Sequence, residues 1–169
     1  AAGNATNNND SSPTYPASYV IPGMMSIAAT TDWDSLASFS NYGASSVHVG
    51  GPGVSILSTL PNGTFGYSSG TSMASPMIAG LSAMIVREQP SITPYQVRDL
   101  ILNGAQAVSA LSGKTTSGKR MHVYNTLVSA KTASVSSTQP SYSSSNNRAP
   151  ASAAATSSDG GQAVGGCGL

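Results

Sequence analysis

Ser72 stands in GTSMASPMIAG, residues 70–80, between a Gly-Thr pair and a long apolar stretch. That stretch predicts a helix, so Ser72 falls in its first turn, where backbone N–H groups are free and the macrodipole is positive. A tetrahedral oxyanion formed on a serine there is stabilised by the helix end, and the serine's own N–H is one donor. This is acyl-transfer chemistry. The same residues also have a purely structural use, since Ser72 and Thr71 are both ordinary capping residues. The segment is not the G-x-S-x-G nucleophile elbow, because Ala74 takes the place of the last glycine.

A nucleophilic serine needs a base. The chain has two histidines, His48 and His122. His48, between Val47 and Val49, would point in a strand to the face opposite both. His122 opens a helical stretch far beyond Ser72. Both read as ordinary structural or surface histidines. Cys167, in GGCGL, is the one cysteine, so an internal disulfide framework is excluded, and no Cys/His spacing resembles a zinc site. It reads as an inert thiol.

The elements that must hold Ser72 are legible around it. MMSIAA, residues 24–29, predicts a strand covered on both faces. VHVGGPGVSIL predicts two short strands, Val47–Val49 and Val54–Leu57, broken by Gly-Gly-Pro-Gly. LPNGTFGY reads as a hairpin in which Asn62-Gly63 supplies the positive-φ turn. Residues 72–88 are apolar almost all round, which predicts a helix buried in the middle of a domain and stopped by Pro90. TPYQVRDLI starts a second helix, with Thr93 as cap, Pro94 in the first helical position and Gln96 completing a capping box. Residues 121–131 predict a third. Short strands followed by helices predict an α/β layered domain.

The 169 residues allow one domain of ordinary size, and only 8% are charged, with a formal net charge of +1. That balance gives no electrostatic reason to expect nucleic acid or an anionic membrane as partner. No apolar run is long enough to span a bilayer. The composition shifts near residue 132: residues 133–169 are rich in Ser, Ala and Gly, with few large apolar side chains, and read as a disordered low-complexity tail. The sequons at Asn4, Asn9 and Asn62 arise readily by chance in such a chain, and only Asn62 sits in a predicted exposed turn.

GTSMASP followed by MIAG, preceded by AAGN, ASFSNYG and GPGVSILSTLPNGTFGYSSG, resembles the subtilisin-like serine proteases, or subtilases, from Ala1 to about Ala130. PMIAG departs from the family, which more often has a histidine after the proline. The resemblance implies a three-layer α/β fold with a mainly parallel sheet, of which residues 1–132 form the C-terminal part. It implies Ser72 as nucleophile and Asn4 as the side-chain donor of the oxyanion hole. It further implies that Ala1, Ala2 and Gly3 line the primary specificity pocket, with Ala5 and Thr14 near its rim. Without a charge there, apolar or aromatic residues before the scissile bond are expected. A cis Tyr15-Pro16 bond is implied too.

Neither histidine lies in an H-G-T-H motif, and Asp10, Asp32, Asp34, Asp99 and Asp159 lack the D-[ST]-G context of the family's acid. The triad Asp and His are therefore expected upstream, in a longer protease, and this portion alone is expected to expose apolar surface along an unpaired strand edge and to be inactive. By resemblance, the complete enzyme would be a secreted or extracellular monomer acting on polypeptides. No metal or cofactor is identifiable, and calcium rests on the resemblance alone. The alternative reading is a non-catalytic module that keeps the core and binds protein. A third, an unrelated hydrolase using His48 or His122, requires Ser72 to be reactive in this chain by itself.

Overall fold

The computed structural model describes residues 1–133; the predicted tail from residue 134 onward, with Cys167, lies outside the described residues. Its order is β1 (Ile27–Thr30), β2 (Val49–Pro52), β3 (Ile56–Leu60), β4 (Thr64–Ser68), α1 (Thr71–Glu88), α2 (Pro94–Gly104), β5 (Gln106–Ala107), β6 (Lys119–Arg120) and α3 (Val123–Thr132). One sheet runs β1-β2-β6-β5 and a second holds β3 and β4. In the first, β1–β2 and β2–β6 are parallel, while β5 closes the edge antiparallel to β6. This is an α/β arrangement with a mainly parallel sheet, as the resemblance implies.

The alternation of β1 sorts its two faces. Ile27 and Ala29 join Val49 under the helices, in a core with Ile78, Leu81 and Ile85 of α1, Val97 and Ile101 of α2 and Ala130 of α3. Ala28 points the other way, toward Ala2 and Val47. Three sequence expectations hold locally. The turn between β3 and β4 places Asn62 at φ 64° and Gly63 at φ 72°. Thr93 caps α2 through a complete capping box with Gln96, and Pro94 opens the helix. The Tyr15-Pro16 bond is cis.

Four expectations change. The first strand begins at Ile27, not at Met24. The second runs straight through Gly50 and Gly51, where a break was expected, and His48 precedes it. A Cβ on Gly50 would come within 2.8 Å of Leu111 and of Thr30, and one on Gly51 within 3.2 Å of the Ala74 carbonyl. These glycines admit neighbours that approach the strand closely. Next, α1 is buried on one stripe only. Ala74, Ile78, Leu81 and Ile85 face the core, whereas Met77 and Met84 are 39% and 47% exposed. An apolar sequence shows which faces can be buried, not which are. Last, the outer edge of β1 is not open. Ile27 and Ala29 accept from the N–H groups of Ala2 and Ala37, and the Ala29 N–H donates to the Ser40 hydroxyl. Among the described residues, large apolar side chains are exposed on α1, on the β3–β4 hairpin at Leu57, Phe65 and Tyr67, and also at Val20, Ile21, Trp33 and Tyr124.

Candidate active site

Close packing of the glycines fixes where α1 starts. The Gly70 N–H donates to the Gly53 carbonyl at 2.8 Å. A Cβ on Gly53 would sit 2.7 Å from the Ala29 Cβ and 2.8 Å from the Gly70 carbonyl oxygen. The chain turns from Gly70 directly into α1, with Thr71 buried and Ser72 exposed. Gly70, not a side chain, occupies the cap position, so the capping role considered for Ser72 and Thr71 is not the one they take.

Thr71 instead binds Asn4. Its N–H and its hydroxyl both donate to Asn4 Oδ1, each at 2.9 Å, and the hydroxyl accepts from the Gly3 N–H at 3.1 Å. An N–H donor requires an acceptor, so Oδ1 must face Thr71 and Nδ2 must face away as a donor. Both Asn4 Nδ2 and the Ser72 N–H border one small space beside Gly70. A Cβ placed on Gly70 would lie 3.3 Å from Asn4 Nδ2 and 3.7 Å from the Ser72 nitrogen. Two donors thus converge next to an exposed serine hydroxyl.

Residues 1–9, which carry Asn4, are held by two buried amides that sequence reasoning missed. Asn41 Oδ1 accepts from the Ala5 N–H at 2.8 Å and the Asn7 N–H at 3.0 Å. Its Nδ2 donates toward the Ala2 carbonyl and toward Asn9 Oδ1. Asn9 Nδ2 also donates to the Ala2 carbonyl, at 2.9 Å. Asn9 and Asn41 are 2% and 1% exposed. Gly3 sits at φ 114°, where a Cβ would meet Asn41 Nδ2 at 2.4 Å, so only glycine fits. The Ala2 methyl is fully buried against Ala28 and Val47. Gly3 is half-buried and Ala1 and Ala5 are exposed. Thr14, half-buried, donates its hydroxyl to Asn9 Oδ1.

Neither histidine is brought to Ser72. His48 Nδ1 accepts from the Ser26 N–H at 2.9 Å, and its carbonyl accepts from the Ser117 hydroxyl. Burial, then the charge of Arg98, push its pKa down to about 4. His122 caps α3, its Nδ1 accepting from the Asn125 N–H. Two of the carboxylates, Asp34 and Asp10, are engaged as well. Asp34 pairs with Arg120. Asp10 accepts from the N–H groups of Ser45 and Ser46 and from the Ser46 hydroxyl. Burial alone would raise the pKa of Asp10, but those hydrogen bonds together bring it below the usual value. No group of three or more His, Cys, Asp or Glu among the described residues could hold a metal, and no described helix is long and apolar enough to cross a membrane.

The profile of the Subtilase family matches residues 1–125. The chain belongs to the subtilase family. It is 45% identical over 85 residues to Subtilisin-like protease 2 of Plasmodium falciparum, covering 50% of this chain and 6% of that protein. Over 100 residues it is 46% identical to Subtilisin E of Bacillus subtilis, covering 59% of this chain and 26% of that one. Among solved structures, a cold-adapted subtilisin-like serine proteinase superposes with a TM-score of 0.61 at 37% identity, over 68% of this chain and 41% of the other. A protease from Pseudoalteromonas arctica gives a TM-score of 0.67 at 27% identity, over 76% and 41%. The chain thus spans 6% and 26% of these two curated relatives and 41% of each of these two solved chains. Within this subtilase chain, Ser72, Asn4 and Gly3 converge at the mouth of α1, Ala2 faces the core, and both histidines lie elsewhere.

Proposed function

We propose that this chain is the C-terminal part of a serine endopeptidase catalytic domain, with Ser72 as nucleophile. The observation that carries the proposal is the convergence of Asn4 Nδ2 and the Ser72 N–H on one space beside Gly70. Those are the two donors a tetrahedral oxyanion requires. In the proposed reaction Ser72 Oγ attacks the peptide carbonyl and gives its proton to a histidine oriented by an aspartate, both supplied by residues preceding Ala1 in the full protein. The carbonyl oxygen takes up negative charge between Asn4 and the Ser72 N–H. The amine leaves with the proton, and water hydrolyses the acyl-enzyme by the reverse sequence. Substrates are polypeptides, cut after apolar or aromatic residues accommodated beside Ala1, Ala2 and Gly3, in a secreted enzyme that acts as a monomer.

The uncovered stripe of α1 supports a division of the site between two parts of the protein. Met73, Met77, Gly80 and Met84 follow one another at helical spacing, and the stripe begins one residue after Ser72. A segment seated there would fix its histidine relative to Ser72.

Labelling of the full-length protein with a fluorophosphonate tests this. Labelling that Ser72→Ala abolishes, with peptide hydrolysis lost in parallel, is the expected result. A full-length protein that neither labels nor hydrolyses would be the protein-binding module. Labelling of residues 1–169 alone would show that the base lies within this chain.

A further inference from the structure

Residues 13–22, residues 45–48 and the first turns of α2 enclose a groove of about 580 Å³, and Ser72 is not among its lining residues. Its volume is that of a small-molecule site. Tyr15 and Tyr19, each half-exposed, pack ring against ring at 4.8 Å and form one aromatic wall; Tyr95 and Ile21 also line the space. Arg98 enters it from α2. Its Nε is buried without a hydrogen-bond partner, and the ion pair among the described residues is made by Arg120, not by Arg98. A buried guanidinium N–H with no acceptor is costly unless something else supplies one.

The other polar groups narrow what that something is. His48 lines the groove, half-buried, with its Nδ1 already accepting from the Ser26 N–H. Asp10 lines it too, with its oxygens engaged by Ser45 and Ser46. One guanidinium is thus the only Lys or Arg among the lining residues, and an anion shares the space. That disfavours a dianion such as phosphate and matches a single carboxylate, which a guanidinium grips with two parallel hydrogen bonds. We propose that the groove binds an organic carboxylate with an aromatic or branched apolar body, the carboxylate on Arg98 and the body on Tyr15, Tyr19 and Tyr95. The carboxylate comes either from a free acid or from an acidic residue of a polypeptide. The proposal stands independently of the reaction proposed for Ser72, because binding is read without turnover.

The test is calorimetric titration of the full-length protein carrying Ser72→Ala. The probes are N-acetyl-phenylalanine, its neutral amide, and a capped peptide whose one carboxylate is a glutamate between phenylalanines. The acid should bind about tenfold tighter than the amide, and Arg98→Gln should erase that difference. Tyr95→Ala should weaken acid and amide alike by about tenfold, through lost ring contact. The tighter of the free acid and the glutamyl peptide identifies the source. Equal affinities for acid and amide, or acid binding that survives both Arg98→Gln and Tyr95→Ala, would overturn the proposal. So would the absence of binding by all three probes.

Discussion

Replacing Thr71 with valine keeps the shape of a side chain that is 1% exposed and deletes one hydroxyl. Two hydrogen bonds go with it: the 2.9 Å bond to Asn4 Oδ1 and the 3.1 Å bond that the Gly3 N–H donates. Each contributes about 1 kcal/mol, and Gly3 is left without its acceptor, so stability should fall by about 2 kcal/mol. Asn4 keeps the Thr71 N–H as its one remaining anchor. Its amide can then swing, and Nδ2 loses its fixed aim. Deleting such an asparagine outright costs about 10²–10³ in turnover, a magnitude that comes from a subtilisin, a member of this family, and not from this structure. Loosening it should cost less, about tenfold in kcat, with KM nearly unchanged because the interaction matters in the transition state. Steady-state kinetics on a peptide substrate and thermal melts of the full-length protein measure both effects. Thr71→Ser should restore them. The decisive comparison is made in an Asn4→Ala background, where Thr71→Val should have no further effect on kcat. A kcat loss that persists there would refute the claim that Thr71 acts through Asn4.

Three further outcomes are expected. Gly70→Ala is conformationally permitted, since φ is 162°, but its methyl would stand 3.3 Å from Asn4 Nδ2; kcat should fall at least about 10²-fold with the melting temperature little changed. Asn41→Ala removes the acceptor of the Ala5 and Asn7 N–H groups and should cost about 3 kcal/mol in a denaturant melt, with a loss of kcat as residues 1–9 loosen. His48 has a folded pKa of about 4 against 6.5 when unfolded, so the unfolded chain binds the proton first as pH falls. Its contribution is therefore complete above pH 6.5 and is lost progressively toward pH 4, by at most about 3 kcal/mol. Melts between pH 7 and 4.5 measure it, above the range in which Asp10 titrates, and His48→Gln should flatten the curve.

What the sequence made legible was local chemistry. A capping box needs Thr93, Pro94 and Gln96 within one turn, and a tight hairpin needs Asn62-Gly63, so both are written in consecutive residues. The candidate nucleophile was legible through the resemblance of GTSMASP to the subtilase motif; the helix mouth alone left a capping role for Ser72 or Thr71 open. The course of β2 was not. Gly50 and Gly51 read as a break because their role is set by Leu111, Thr30 and Ala74, which are distant in sequence. Nor were the amides of Asn9 and Asn41. An asparagine in a polar loop predicts exposure, and Asn9 read only as part of a sequon. Their burial depends on pairing with each other across 32 residues. The signal available was the crowding of asparagines in AAGNATNNND, more than a solvated loop requires.

Those amides explain how the donors of the proposed oxyanion hole can be ordered with no base beside Ser72 among the described residues. An oxyanion hole works only if its donors are fixed before charge develops, because donors that must reorient give back much of what they contribute. Asn4 sits in an exposed loop with no regular secondary structure, the least suitable place for a fixed donor. Asn41 ties the backbone on both sides of it, at Ala2 and at Ala5 and Asn7, while Thr71 fixes the side chain from the first turn of α1. Ser72 follows Thr71 directly, so the proposed nucleophile and donor share one frame set by the core stripe of α1. Nothing in that frame calls on His48 or His122. Ser72 is exposed, so in the proposed enzyme the base would reach its Oγ from the solvent side and could be supplied by a separate segment without disturbing the hole.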